Sequence, residues 1–272
     1  MKTKKIGLVG IYFPGAYDAL HENVPEGFEL VDALSPEAYG NLADCEYLIS
    51  RLDIDPDIIN HTPNVKFWQR WGAGFDHVDL KAWGERGIPI ATCPGVNSGI
   101  VAELAIMLML AGYRNLLQIN RQLRAGHWPR TEYFGRSFMI KGKTVGVLGL
   151  GHIGKKVAAL ASAFGANVIY YDIVRQPEQE EQFGYRFVDF DTLLKESDIF
   201  TIHCPLNEET RGMIGAAQFA KMKPTAMLIN TARGPIVDEA ALVDALTTGK
   251  IATAGLDTYE HEPLPKDHPL LT

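Results

Sequence analysis

The chain is poor in cysteine. Cys45, Cys93 and Cys204 are widely spaced, with no CxxC pair and no histidine cluster at zinc-ligand spacing. That argues against a disulfide framework and a structural metal site, and it fits a reducing compartment. An excess of positive charge is missing too: 26 Lys and Arg face 33 Asp and Glu, for a net charge of -7. Nucleic acid and anionic membranes both require a basic surface, so neither is an expected partner. Nor is there a run of about 18 uninterrupted apolar residues, as a membrane span would need. The start combines basic residues with an apolar run, as signal peptides do. The run from Ile6 to Phe13 is short, holds two glycines and stops at Pro14 without a small-residue cleavage site. It reads as a first buried strand, and the expected location is cytoplasmic.

What is present is the composition of a soluble globular protein, 46% hydrophobic and 22% charged, in 272 residues. That length allows two modest domains or one large one. Short apolar, β-branched runs alternate with longer amphipathic stretches. Strands are expected at Lys5–Val9, Phe28–Val31, Tyr47–Ser50, Lys66–Arg70 and Ile88–Thr92. A second series is expected at Thr144–Leu150, Asn167–Asp172, Ile199–His203, Ala226–Asn230 and Ile251–Leu256. Helices fill the intervals. Ser35-Pro36 supplies an N-cap with proline behind it, and Asp238-Glu239 places acidic residues at a helix start. Strand–helix alternation of this kind implies α/β architecture, with parallel sheets covered by helices on both faces. The two series divide near residue 98, giving domains at 1–98 and 99–272. A long helix is expected from Ile100 to about Leu117, followed by a polar loop, Arg124–Ser137. The helix is apolar nearly all round, so it must be covered by its own domain or by a second subunit.

The strongest local motif is Gly149-Leu-Gly151-His152-Ile153-Gly154, between an expected strand and an expected helix. Gly149 permits the tight turn, Gly151 lets a pyrophosphate approach the backbone, and Gly154 allows close helix–strand packing. The amides of His152 and Ile153 would point at phosphates from the helix N-terminus. Asp172 follows Gly154 by eighteen positions and ends the next strand. Such a carboxylate accepts a ribose 2′-OH and repels a 2′-phosphate, which favours NAD over NADP. Arg175, just beyond, could soften that preference. Asp172 could alternatively cap its own strand.

Several further segments, in order, carry a wider resemblance. They are Trp71 to Asp79 (WGAGFDHVD), Pro94 to Glu103 (PGVNSGIVAE), His203 to Ile214 (HCPLNEETRGMI), Asn230 to Gly234 (NTARG) and Gly255 to Pro263 (GLDTYEHEP). With the glycine turn, they make the chain similar to the D-isomer-specific 2-hydroxyacid dehydrogenase family. The resemblance implies two doubly wound parallel-sheet domains, a flavodoxin-like substrate domain and a Rossmann NAD-binding domain. It also implies reversible hydride transfer between NAD(H) and a 2-keto or D-2-hydroxy acid.

Residue roles follow from the same resemblance. Arg233 would bind the substrate carboxylate and polarise the keto oxygen, work suited to a guanidinium fork. Glu262 would pair with a catalytic histidine and keep it protonated; Glu260 stands close enough to be confused with it. Asp257 would hold the nicotinamide amide, while Cys204, Pro205, Thr210, Thr231 and Ala232 would line the riboses. Ala73 and Gly74 would offer amides to a carboxylate. Arg51 is either a second anion contact or a solvent-facing strand end.

The family's acid is a histidine in a Pro-His segment beyond the Glu-Pro motif, so the expectation is a protein continuing past Thr272, with an inactive, shortened relative as the alternative. His268 falls before that segment and is not taken for the acid. A homodimer is implied as well. The substrate is left among phosphoglycerate, small aliphatic keto acids, glyoxylate and hydroxypyruvate, because no basic cluster marks a phosphate site. A second reading is a dinucleotide-sensing module that acts through protein partners, similar to the family's corepressor branch.

Overall fold

A computed structural model describes residues 3–52, 54–76 and 78–271. The chain divides into two compact units, Met1–Asn97 and Ser98–Thr272.

The first unit is a five-stranded parallel sheet in the order β2-β1-β3-β4-β5. Its strands are β1 (Lys4–Gly10), β2 (Phe28–Ala33), β3 (Tyr47–Arg51), β4 (Phe67–Arg70) and β5 (Ile90–Ala91). This is the flavodoxin-like order, whose direction reverses beside β1. Helices α1 (Pro14–Glu22) and α2 (Leu80–Glu85) and two 3₁₀ segments, Pro36–Asp44 and Pro56–His61, connect the strands. Trp68 and Trp83 meet in the core with ring centroids 4.8 Å apart. The Trp68 indole donates to the buried Ser50 hydroxyl at 2.7 Å, so neither polar group is left unsatisfied. The Ser35-Pro36 start holds, but it opens a 3₁₀ segment, and the Ser35 hydroxyl bonds the Glu37 carboxylate instead of capping.

The second unit is a six-stranded parallel sheet in the order β11-β10-β9-β6-β7-β8. Its strands are β6 (Thr144–Leu148), β7 (Asn167–Tyr171), β8 (Arg186–Phe187), β9 (Ile199–Ile202), β10 (Met227–Asn230) and β11 (Thr253–Leu256). This is the Rossmann order, switching direction between β6 and β9. Every residue of β9 and β10 is buried, as strands covered on both faces require. The helices are α3 (Ser98–Tyr113), α4 (Leu116–Arg124), α5 (His152–Ala163), α6 (Pro177–Phe183), α7 (Phe190–Glu196), α8 (Ala216–Phe219) and α9 (Glu239–Thr247). Asp238 caps α9 by accepting the Ala241 amide at 2.9 Å.

Two expectations change. The long apolar helix is broken: Asn115 takes a left-handed conformation (φ 50°), and α3 and α4 meet at a 60° bend. The Asn115 amide group donates to the Arg136 carbonyl at 2.9 Å and to the Ser137 hydroxyl, so the following loop pins the break. β8 was not expected from the sequence; it is two residues long and pairs only with Ile169 and Tyr170. On the unit's own sheet, α3 buries Ala102, Ala105, Ile106, Met109 and Tyr113. Close approach is possible because Gly112 leaves room for the Met227 side chain and Gly255 for Leu108. The opposite side of α3 stays open, with Ile100 and Met107 exposed. Among the described residues no single helix is long and apolar enough to cross a membrane.

Candidate functional site: a dinucleotide cradle

In a parallel sheet every strand ends on the same edge, and a doubly wound sheet opens a crevice there at its switch point. In the second unit that edge collects the glycine turn after β6, Asp172 after β7, His203–Pro205 after β9, Thr231–Arg233 after β10 and Asp257 after β11.

The turn is shaped by what glycine leaves out. Gly149 has φ +92°, and a Cβ there would stand 2.8 Å from the Cys204 backbone nitrogen. A Cβ on Gly154 would stand 2.0 Å from the Gly149 carbonyl oxygen, so α5 packs directly on the turn. The space beside Gly151 holds no atom within 4 Å, which leaves the outer side of the turn open. The first-turn amides of α5, including those of His152 and Ile153, have no acceptor within the helix and carry its positive dipole end. Asp172 accepts the Leu150 amide at 2.6 Å and the Val174 amide at 3.0 Å. It therefore ties the turn to β7, as the capping alternative requires. Each carboxylate oxygen keeps a further lone pair for a ribose hydroxyl.

Around the other strand ends, buried polar atoms lack partners among the described residues: Thr231 Oγ1, Thr258 Oγ1 and His203 Nδ1. Such atoms are costly without a ligand and fit a polar one. Together with the open glycine turn, they fit a dinucleotide. Thr210, expected at a ribose, spends its hydroxyl inside its own loop. It donates to the Pro205 carbonyl at 2.7 Å and accepts the Asn207 amide at 2.9 Å.

Arg233 is held by Asn230, a residue whose role the sequence reading missed. Its buried side chain accepts the Ala232 amide and donates to the Arg233 carbonyl, both at 3.0 Å. The signal available was a polar residue closing an otherwise apolar strand. Arg233 itself donates to the Ala232 carbonyl at 2.7 Å. A Cβ on Gly234 would stand 1.9 Å from the Tyr259 carbonyl, so the arginine loop and the loop after β11 are pressed together. In that second loop, Asp257 is raised above the usual carboxylate range, first by burial and then by the neighbouring Glu262 charge. Glu262 accepts the Tyr259 amide at 2.9 Å. Glu260, the residue easily confused with it, gives its amide to Glu239. Glu239 also lies 3.0 Å from His268 Nε2, while His268 Nδ1 accepts the Leu270 amide. Both ring nitrogens of His268 are thus spent on holding the chain.

In the first unit, Arg51 ends β3 and the Ala73–Gly74 loop follows β4, again at one sheet edge. Arg51 donates to the Ile11 carbonyl at 3.2 Å and lies over the Phe13 ring. The sequence reading missed Arg70, which is buried and donates to the Gly74 and Leu52 carbonyls, fixing both loops. Its signal was a charge closing the apolar run before the Trp71–Gly74 turn.

His203 carries a pH consequence. Its Nε2 lies 2.8 Å from the Thr201 hydroxyl, and removal from water pushes the imidazole down to about 3. The unfolded chain binds a proton near pH 6.5 that the folded chain refuses, so this residue makes stability fall as pH drops from about 6.5 toward 3. His203→Gln is expected to flatten that fall by up to about 1.4 kcal/mol per pH unit, measured by urea denaturation between pH 7 and 5. An unchanged slope would mean that the native imidazole protonates normally.

Among the described residues no group of three or more His, Cys, Asp or Glu side chains is arranged to hold a metal. Comparison with known proteins gives the class. Residues 106–272 match the family model for "D-isomer specific 2-hydroxyacid dehydrogenase, NAD binding domain". The chain belongs to this family, and its second unit is an NAD-binding Rossmann domain. Among its relatives, D-3-phosphoglycerate dehydrogenase of Archaeoglobus fulgidus is 45% identical over 222 residues, covering 82% of this chain and 42% of that protein. Glyoxylate reductase of Thermococcus litoralis is 42% identical over 215 residues, covering 77% of this chain and 65% of that protein. The match therefore spans less than two thirds of either relative. Among solved structures, holo D-mandelate dehydrogenase of Rhodotorula graminis aligns with a TM-score of 0.88 at 31% identity, covering 100% of this chain and 85% of that one.

Proposed function

We propose that the protein carrying this chain interconverts a small 2-keto acid and its D-2-hydroxy acid with NAD(H). The observation that carries this is Arg233, whose backbone Asn230 fixes beside the Asp257–Glu262 loop, on the edge that also holds the glycine turn. A nicotinamide held there would supply the hydride for the keto carbon, or accept it from the hydroxy acid's C2. Arg233 pairs with the substrate carboxylate and polarises the keto oxygen, which lowers the cost of the alkoxide charge that builds there. Asp257 orients the carboxamide, and Glu262 is the carboxylate partner of the proton donor. Thr231 and Cys204 line the riboses. Within the first unit, the Ala73–Gly74 loop and Arg51 share one sheet edge and offer amides and a guanidinium suited to an anion. The names of the relatives, glyoxylate reductase and phosphoglycerate dehydrogenase, support a short 2-keto acid as the substrate class.

The test is NADH oxidation at 340 nm with glyoxylate, pyruvate, hydroxypyruvate and phosphohydroxypyruvate, using the protein from its natural source. Turnover with at least one is expected; none with any of them, or with longer 2-keto acids, contradicts the reading.

A homodimer is the second part of the proposal. Ile106, Met107, Leu110, Ala111 and Leu116 on α3 and α4, with Leu160 of α5, line an apolar groove. Trp128 and Phe134, on the segment that follows, are 80% and 75% exposed. A second copy of the chain would cover this surface. Sedimentation equilibrium is expected to show twice the chain mass; a monomer at micromolar concentration contradicts it.

A further inference from the structure

Beyond β7 the chain makes an arrangement that the cofactor roles above leave unexplained. Arg175 donates from Nε to Glu180 Oε1 at 2.8 Å and from an Nη to Glu180 Oε2 at 2.7 Å, a two-point ion pair. The Tyr170 hydroxyl donates to the same carboxylate at 2.8 Å, and that hydroxyl in turn accepts the Gln176 amide. The guanidinium lies over the Phe187 ring of β8, 5.5 Å from its centroid. Glu180 is thus held by three hydrogen bonds from two side chains, and its side chain is 18% exposed against 60% for Arg175. The bond from Arg175, the largest influence, pushes the Glu180 carboxyl down to about 2, so the pair is intact at neutral pH.

Arg175 stands three residues after Asp172, so their Cα atoms are at most roughly 11 Å apart. The Val174–Asp172 bond curls the chain between them. An arginine within a side chain's reach of the ribose carboxylate is the natural acceptor of a 2′-phosphate. Here the Nε and one Nη of that fork are turned onto Glu180.

We propose that Glu180 is a specificity-determining residue: by holding Arg175 in a two-point ion pair it keeps that guanidinium from a 2′-phosphate and sets the preference for NAD over NADP. Asp172 repels the phosphate, and Glu180 withholds the compensating cation. The assignment rests on the dinucleotide site proposed above, and it concerns binding, so affinity reads it without turnover.

The experiment is calorimetric titration of NADH and NADPH into wild type, Glu180→Gln, Arg175→Ala and the double variant. Glu180→Gln is expected to tighten NADPH by about tenfold, the size of one charge-assisted hydrogen bond, and to leave NADH within about twofold. Arg175→Ala alone is expected to change NADPH little, and the double variant to lose the gain. Should Glu180→Gln fail to fold, Glu180→Asp, one methylene shorter, is expected to give a smaller gain of the same sign. NADPH binding that is unchanged or weaker in the Glu180 variant, with NADH binding normal, overturns the proposal. So does a gain that survives in the double variant, since the effect would then be lost repulsion alone. Wild type that binds neither nucleotide overturns the dinucleotide site itself, a distinguishable failure that removes this proposal with it.

Discussion

Replacing Arg233 with glutamine is expected to lower kcat/KM for the 2-keto acid by about three orders of magnitude while leaving NADH affinity within about twofold. Removing one member of a desolvated, hydrogen-bonded charge pair costs about 2–5 kcal/mol, and a thousandfold loss corresponds to about 4. The substrate carboxylate would keep its desolvation cost without a partner, and the keto oxygen would lose its polarising donor as charge develops on it. Lysine is expected to restore at most a small part, because a single ammonium cannot reproduce the two-point fork. NADH affinity is expected to hold because the Arg233 backbone, fixed by Asn230 and by the close approach of Gly234 to Tyr259, does not depend on its side chain. Steady-state kinetics beside an NADH titration check both halves. A variant within tenfold of wild type would remove Arg233 from the substrate site.

The second large effect separates two glycines of one turn. Gly154→Ala forces a methyl group against the Gly149 carbonyl, a backbone atom that cannot swing aside, with Val147 behind it. α5 must then lift from the turn. The expected loss is about 3 kcal/mol of stability, together with about a hundredfold loss of NADH affinity as the first-turn amides move off the phosphates. Gly151→Ala meets no atom within 4 Å. It is expected to melt with wild type, yet to bind NADH at least about tenfold more weakly, because the methyl group occupies the pyrophosphate's approach. Thermal melts with and without NADH read both. Equal melting of the two variants would mean that Gly154 is not a packing glycine, and wild-type NADH binding by Gly151→Ala would place the phosphates elsewhere.

Much of the fold was legible because strands buried on both faces read as short apolar runs. Ile199–Ile202 and Met227–Asn230 carry that signature, and both are buried throughout. The glycine turn was legible because glycine is the residue that both tight turns and close backbone contacts demand. What escaped depends on partners distant in sequence. The break at Asn115 is set by the loop at Arg136–Ser137, so local helix propensity carried the expected helix straight through it. β8 is too short to leave a period and exists through its pairing with β7. In the candidate site, residue types were visible but their commitments were not. Nothing in the sequence says that Arg175 is engaged by Glu180, that Asn230 organises the arginine loop or that Arg70 is buried between two loops. Those facts belong to hydrogen-bond geometry, which periodicity does not encode.

Calorimetric titration with NADH is the most direct test that this chain builds an NAD site on the edge of its second sheet. Saturable binding of one NADH per chain is expected, displaced by NAD, with NADPH weaker by more than about tenfold because Asp172 opposes the 2′-phosphate. No binding, or tighter binding of NADPH than of NADH, would contradict it.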